Sequence, residues 1–433
     1  MHILAIDVGT SSVKAAILDI ALNLPVGPIA HIHYDLDHPS AEAAEVSTEK
    51  LWDSVTAAAR TAAISASGVE AVGFSCLSPG LVLLDAADRP LAPIWTHLDR
   101  RSRPSARQVW ADVGEEFLAT TGNRPLPGGM SVICWRQQLA TDSSLLRETK
   151  HYLHVNGWLG FRLTGERFFD RANACFTGLY GTMTDQAWSE RWCRYFKVEP
   201  DWLPAAVGGE TTIGSLRPDV ADDFGVPAGL PVKLGTADTS SAMLAAGMAE
   251  GDLLHVVGTT QVLAAFAVQP RPSAVRLTRQ LGVGDAFIHV THNPVGGAAL
   301  DWMHQLCFRE QSAAEFYERT IPAAIKHSTG VTLDPPYLGG DRLEIEAQKA
   351  AFRDVTFTSD RLELLGAVLG AMRQRHYEAL GALGMGDRFT RIFLTGGGAE
   401  VVKRLIPEYA ESGVYPLEEG SLRGVGCLFG PAL

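Results

Sequence analysis

The stretch that most constrains this chain lies near its start, Ile6-Asp7-Val8-Gly9-Thr10-Ser11-Ser12-Val13-Lys14-Ala15-Ala16-Ile17. The apolar run from Ile3 to Ile6 reads as a buried strand, Gly9 and Thr10 as a tight turn, and Val13 to Leu18 as the returning strand. Asp7 closes the first strand. The turn exposes backbone N–H groups beside the hydroxyls of Thr10, Ser11 and Ser12. Successive amides in a turn form a nest for anionic oxygen, so such a hairpin can hold a phosphate with a carboxylate beside it for a cation.

A second copy lies far downstream: Val257-Gly258-Thr259-Thr260-Gln261-Val262-Leu263-Ala264-Ala265-Phe266. Aligned on the Gly-Thr pair, both read Gly-Thr-(Ser/Thr)-x-Val-x-Ala-Ala followed by a large apolar residue. A single Gly-Thr turn is what any surface hairpin uses. Two matching ones half a chain apart predict a duplicated fold whose phosphate loops face each other.

A length of 433 residues predicts two domains. Hydrophobic content of 46% and charged content of 20% describe an ordinary globular chain. The net charge of −12, without any Lys/Arg block, argues against a nucleic-acid or anionic-membrane partner. No apolar run reaches the ~18 residues of a membrane span. The six cysteines are scattered, with no Cys-x-x-Cys pair, which predicts buried free thiols and a cytoplasmic setting.

In chain order, a weaker strand is expected at Ile29 to Tyr34, and a helix capped by Thr48 with Leu51, Trp52, Val55 and Ala59 on one face. Val69 to Phe74 and Leu81 to Leu84 read as strands around the loop Ser75 to Gly80. The polar segment Trp95 to Ser102 is either a cleft wall or a solvated helix start. Helices are expected at Ser131–Leu139 and His151–Leu163. The Gly/Pro-rich segment 204–232 marks an interdomain connection, there or just after. Asp238 then stands among small residues, Leu234-Gly235-Thr236-Ala237-Asp238-Thr239-Ser240-Ser241. Small neighbours admit a ligand, but taken alone an Asp opening a helix reads as an N-cap. Leu338-Gly339-Gly340-Asp341-Arg342 reads as a loop. Leu362–Leu380 is a long helix, and Ile392-Phe393-Leu394 a strand running into Thr395-Gly396-Gly397-Gly398-Ala399, where bare backbone can lie against a ring or a phosphate.

Taken together, Asp7-x-Gly-Thr-Ser-Ser-x-Lys14, Asp238 in its small-residue run, Gly258-Thr259-Thr260 and Leu394-Thr-Gly-Gly-Gly-Ala399 resemble the FGGY carbohydrate kinases of the actin/Hsp70/hexokinase-like superfamily. Trp158-Leu-x-x-Arg-Leu-Thr-Gly-Glu166, Gly297-Ala-Ala-Leu-x-Trp302 and Pro336-Tyr-Leu-x-Gly-Asp-Arg342 extend the resemblance over the whole chain. It implies an α/β fold of two actin-like (ribonuclease H-like) domains, each a five-stranded mixed sheet flanked by helices, with the active site in the interdomain cleft. Residues 1–242 would form the sugar-binding domain and 243–433 the nucleotide-binding one. The implied activity is ATP- and Mg²⁺-dependent phosphorylation of a hydroxyl on a small sugar, a ketose such as xylulose, with Asp238 as general base and Asp7 orienting the metal. Thr10, Ser11, Lys14, Gly258, Thr259, Gly297, Gly397, Gly398 and Val402 would face the nucleotide. Ser78, Asp99 and Thr239 would face the sugar beside Asp238. A homodimer is a further implication.

The sequence also departs from that pattern. Leu77, Ser78 and Pro79 replace the Gln-Met-His that many xylulose-specific members carry, Thr239 stands where many have Asn or Gln, and Asp341 replaces a Glu. These departures leave open a polyol or sugar-acid kinase, a nucleotide-gated assembly module, or a sugar binder without turnover.

Overall fold

The computed structural model describes residues 1–64, 68–336, 343–385, 389–411 and 413–430. The Leu338–Arg342 loop, with its Asp341 substitution, lies outside the described residues.

Two sheets carry the chain, and each is built on one of the Gly-Thr hairpins. In the first, His2–Val8 pairs antiparallel with Ser12–Asp19, Asp7 opposite Lys14 and Val8 opposite Val13. Parallel strands Val69–Cys76 and Pro231–Ala237 extend it on the other side. In the second, Leu253–Val257 pairs antiparallel with Gln261–Ala267, Val256 opposite Val262. Parallel strands Ile392–Thr395 and Val414–Pro416 extend it in the same sense. One hairpin plus two parallel strands, twice, is the duplication the sequence predicts. Both sheets exceed the expected five strands. The first has seven with Leu24–Pro25, Ala30–His33 and the edge strand Thr212–Ser215, and the second six with Phe287–Asn293 and Leu277–Gln280.

Period-two alternation sorts the second sheet's faces. Leu253, Val257, Leu263, Ala265, Ile392 and Leu394 pack into a core with the helices Gly297–Cys307, Arg361–Leu383 and Ala399–Leu405. Leu254, Ala264, Ile288, Val290 and Phe393, on the opposite face, join the core of the first half. The two halves therefore share apolar surface, and the gap between them has a fixed floor.

Local expectations mostly hold, with instructive exceptions. The first long helix is Thr48–Ala63, and its cap is Ser47, whose hydroxyl accepts the Lys50 N–H at 3.1 Å. The expected helix over His151–Leu163 starts four residues late. His151–His154 is a strand paired with Gly80–Leu84, a non-local edge that overrides helical periodicity, and the helix is Val155–Thr164. The segment 204–232 supplies the edge strand Thr212–Ser215 and the helix Pro218–Phe224, so any passage between the halves follows it. The last helix, Gly420–Cys427, returns to the first half and lies on the helix Asp238–Ala245. A Cβ on Gly424 would stand 1.9 Å from the Ser241 carbonyl oxygen, so the two backbones touch. All six cysteines are unpaired, and four of them are buried. No described helix is long and apolar enough to cross a membrane.

Candidate active site

A cavity of about 780 Å³ opens between the two halves. Its first-half wall includes Asp7, Lys14, Ser78, Pro79, His97, Phe176, Asp238 and Thr239. The opposite wall includes Val256, Val262, Arg279, His292, Thr395, Gly396 and Ala399, while Glu419 enters the cavity beside Lys14. The stems of both Gly-Thr hairpins thus border one space.

Asp238 is the first residue of its helix, at the end of the strand Pro231–Ala237. Its Oδ1 accepts the Thr239 N–H at 2.6 Å and the Thr239 hydroxyl at 3.1 Å. Its Oδ2 carries no hydrogen bond among the described residues. It is only partly covered and lines the cavity, so the small-residue run does more than cap a helix. Burial raises its pKa, opposed by the Thr239 donors and the positive charge of Arg279.

Asp7 faces the same space and accepts the Ser75 hydroxyl at 3.0 Å. Its pKa is pushed up to about 7, first by burial and then by the Asp238 charge, with Ser75 and Lys14 acting the other way. Asp7, Asp238 and Glu419 outnumber Lys14 and Arg279 in this partly dry cleft, which leaves it short of positive charge. A divalent ion held by Asp7 and by phosphate oxygens would supply it, and Mg²⁺ commonly binds through one carboxylate plus phosphates and water. Among the described residues no group of three or more His, Cys, Asp or Glu forms a metal cage.

Lys14 is held by Glu419, its Nζ 3.0 and 2.7 Å from the two carboxylate oxygens. Glu419 was not anticipated; it comes from 405 residues away, in the segment leading into the last helix. In the first hairpin Gly9 N–H closes on Ser12 O at 2.9 Å, leaving Thr10 half-buried and Ser11 exposed. In the second, Gly258 N–H closes on Thr260 O at 3.0 Å, with Gly258 and Thr259 exposed. Gly297 N–H donates to Gly258 O at 2.9 Å, seating a helix start directly on that turn. Gly396 reaches the cavity, Gly397 has open space where a side chain would be, and Gly398 N–H bonds Val257 O at 3.1 Å.

Of the expected site residues, Asp7, Lys14, Ser78, Asp238 and Thr239 line the cavity, the Gly-Thr turns, Gly297, Gly397 and Gly398 do not, and Asp99 and Val402 are buried in packed surroundings. Asp99 is fully buried and does not line the cavity: its carboxylate accepts Ala44 N–H, Arg101 N–H and the Arg101 guanidinium. The residue of that loop that reaches the cavity is His97. Val402 is 1% exposed and packs in the second-half core, because its helix turns that face toward the sheet.

Ser78 does line the cavity, and it ends a buried chain of hydrogen bonds that the sequence did not disclose. Its hydroxyl donates to Asn173 Oδ1 at 2.7 Å, and His154 Nδ1 meets the same oxygen at 2.9 Å. Burial lowers the His154 pKa to about 4, so the ring is neutral and its Nδ1–H is the donor. Asn173 in turn donates to Asp170 Oδ2 at 2.7 Å, and Thr236 to Asp170 Oδ1 at 2.9 Å. The loop before Gly80 is thereby fixed to the strand that carries Asp238.

The FGGY family of carbohydrate kinases, N-terminal domain, matches residues 2–245, more than half of the chain. The xylulose kinase of Bacillus subtilis (strain 168) is 27% identical over 354 residues, 79% of this chain and 68% of that protein. The gluconokinase of the same organism is 25% identical over 460 aligned positions, 99% of this chain and 87% of that protein. The ligand-bound xylulose kinase of Lactobacillus acidophilus superposes with a TM-score of 0.87 at 17% identity, covering 99% of this chain and 88% of that one, a likeness of fold. With two hairpin-built sheets about a shared cleft and this family match, the chain belongs to the FGGY carbohydrate kinases.

Proposed function

We propose that the chain transfers the γ-phosphoryl group of ATP to a hydroxyl of a small polyhydroxylated acceptor bound in the cleft, with Asp238 as general base. The observation that carries this is the placement of Asp238. Its free Oδ2 opens on the same cavity as Asp7 and Lys14, where an acceptor hydroxyl can meet a nucleotide phosphate. The names of the relatives, xylulose kinase and gluconokinase, support an acceptor of ketose, polyol or sugar-acid type. The sequence departures at Leu77 to Pro79 fit a binding loop unlike that of xylulose-specific members.

In this scheme Asp238 takes the hydroxyl proton on Oδ2 while Thr239 holds Oδ1 in place. Phosphoryl transfer needs alignment and charge neutralisation more than covalent help. Lys14, both Gly-Thr turns and the backbone at Gly297, Gly397 and Gly398 would bind the nucleotide, and Ser78, Thr239 and His97 the acceptor. Mg²⁺, when bound at Asp7, would neutralise phosphate charge. We assign residues 1–242 to the acceptor-binding domain and 243–433 to the nucleotide domain, because the acceptor-side and glycine-loop walls divide that way. The unpaired cysteines support a reducing, cytoplasmic setting.

The test is ADP release with a panel of ketoses, polyols and sugar acids. Acceptor-dependent release is expected. Release without acceptor would replace the kinase reading with a nucleotide-driven module, and sugar binding without any release would leave a binding protein. Asp7→Asn should raise the Mg²⁺ concentration for half-maximal turnover by ~10–100-fold, the range seen when a metal site is impaired. An unchanged Mg²⁺ titration would remove Asp7 from the metal site.

A further inference from the structure

One cation in the cleft has no ion-paired partner among the described residues. Arg279 lies on the edge strand Leu277–Gln280 and is 2% exposed, yet it lines the cavity. No carboxylate among the described residues comes within ion-pair distance, and its Nε has no hydrogen-bond partner. Its Nη1 donates to the Ser240 hydroxyl and, at 3.4 Å, to Gln280 O. The guanidinium lies 5.1 Å from the centre of the Phe176 ring, which also faces the cavity. Burial pulls its pKa down only to about 10, so it is charged at neutral pH. An enclosed cation with an idle donor is costly unless an anion completes it.

The second phosphate turn does not bring that anion. Arg279 pairs with Ile288, which pairs with Phe266. From Phe266 to the Thr260 turn is six residues, ~20 Å of strand, well beyond the reach of the side chain. Arg279 instead lies beside the start of the Asp238 helix, its Nη1 on Ser240, and lines the same cavity as Asp238. We propose that Arg279 binds a carboxylate of the acceptor, making the substrate a sugar acid whose hydroxyl meets Asp238. This rests on the kinase reading and narrows its acceptor class. The planar fork suits a carboxylate, which it can hold through two parallel hydrogen bonds.

Calorimetry without ATP tests this apart from turnover, using D-gluconate, its neutral polyol D-glucitol, D-xylulose and D-fructose 6-phosphate as probes. Gluconate is expected to bind the intact chain at least ~10-fold more tightly than glucitol. Arg279→Gln should weaken gluconate by ~10–100-fold, the scale of a charged hydrogen bond, and leave glucitol unchanged. Arg279→Lys should recover part of the loss. Equal binding of gluconate and glucitol by the intact chain overturns the proposal, and that comparison needs no variant to fold. Preference for fructose 6-phosphate, or for xylulose, overturns it in favour of a phosphorylated or a neutral acceptor. Equal loss of both ligands in Arg279→Gln would reduce Arg279 to a structural role and also overturns it. Failure of the kinase reading shows separately, as gluconate binding without ADP release.

Discussion

Asp238→Ala is expected to lower turnover by ~10²–10⁴-fold, the usual contribution of a positioned general base, while leaving ATP affinity unchanged. The geometry gives Asp238 a free Oδ2 toward the cavity and an Oδ1 already committed to Thr239. Asp238→Asn is the sharper variant. Its amide oxygen can still accept the Thr239 N–H, so the helix start survives, but it cannot take a proton. Turnover by ADP release and ATP affinity by calorimetry separate the two effects. Turnover within a few-fold of the intact chain in both variants would reject the assignment. The pH profile supplies a second check. A base works ionised; burial raises the Asp238 pKa and pushes that of Asp7 to about 7, so activity should decline as the pH falls through about 7, with Asp238 adding to the loss above its ordinary value. Arg279 opposes that rise; in Arg279→Gln the acidic limb should move to still higher pH.

The parts of this arrangement that were legible in the sequence are those encoded locally. The Gly9-Thr10 and Gly258-Thr259 turns sit between apolar runs, and each produced its hairpin and sheet. Asp238 read by its residues alone as an N-cap, and only the family resemblance set it in the cleft. What stayed hidden depends on long-range pairing. Ser78, His154, Asn173, Asp170 and Thr236 form one hydrogen-bonded chain, yet each alone is an ordinary polar residue. Glu419 reaches Lys14 only because the last helix returns to the first half. Arg279 had a faint signal, an arginine two residues after Leu277 on the inward face of a short strand, but strand parity is informative only once the buried face is known. Asp99 and Val402 failed for the converse reason. A charged residue in a polar loop and an apolar one after a glycine run looked available to ligand, and both were taken up by neighbours: Asp99 by Ala44 and Arg101, and Val402 by the second core.

Gly235→Ala should be the most damaging single methyl in the first half. Gly235 has φ of +70° and lies three residues before Asp238. It occupies a bulge: Lys233 pairs with Gly73 and Thr236 with Ser75, so one extra residue is accommodated between them. That extra residue brings the strand end, and Asp238 after it, level with the end of Val69–Cys76. A Cβ here would stand 1.6 Å from the Phe74 carbonyl oxygen. The left-handed conformation costs an L-residue ~1–2 kcal/mol, and forcing atoms into a packed site costs ~1–3 kcal/mol. The sum, ~2–5 kcal/mol, is a large share of the ~5–15 kcal/mol that holds a typical domain together. A matching fall in the urea midpoint is expected, together with lost turnover because the helix start carrying Asp238 moves. Gly225→Ala separates the causes: φ is +74° there, but nothing lies within 4 Å of the added methyl. It should cost only the conformational part. If both variants unfold at the same midpoint, the contact with Phe74 does not set the position of the strand that presents Asp238.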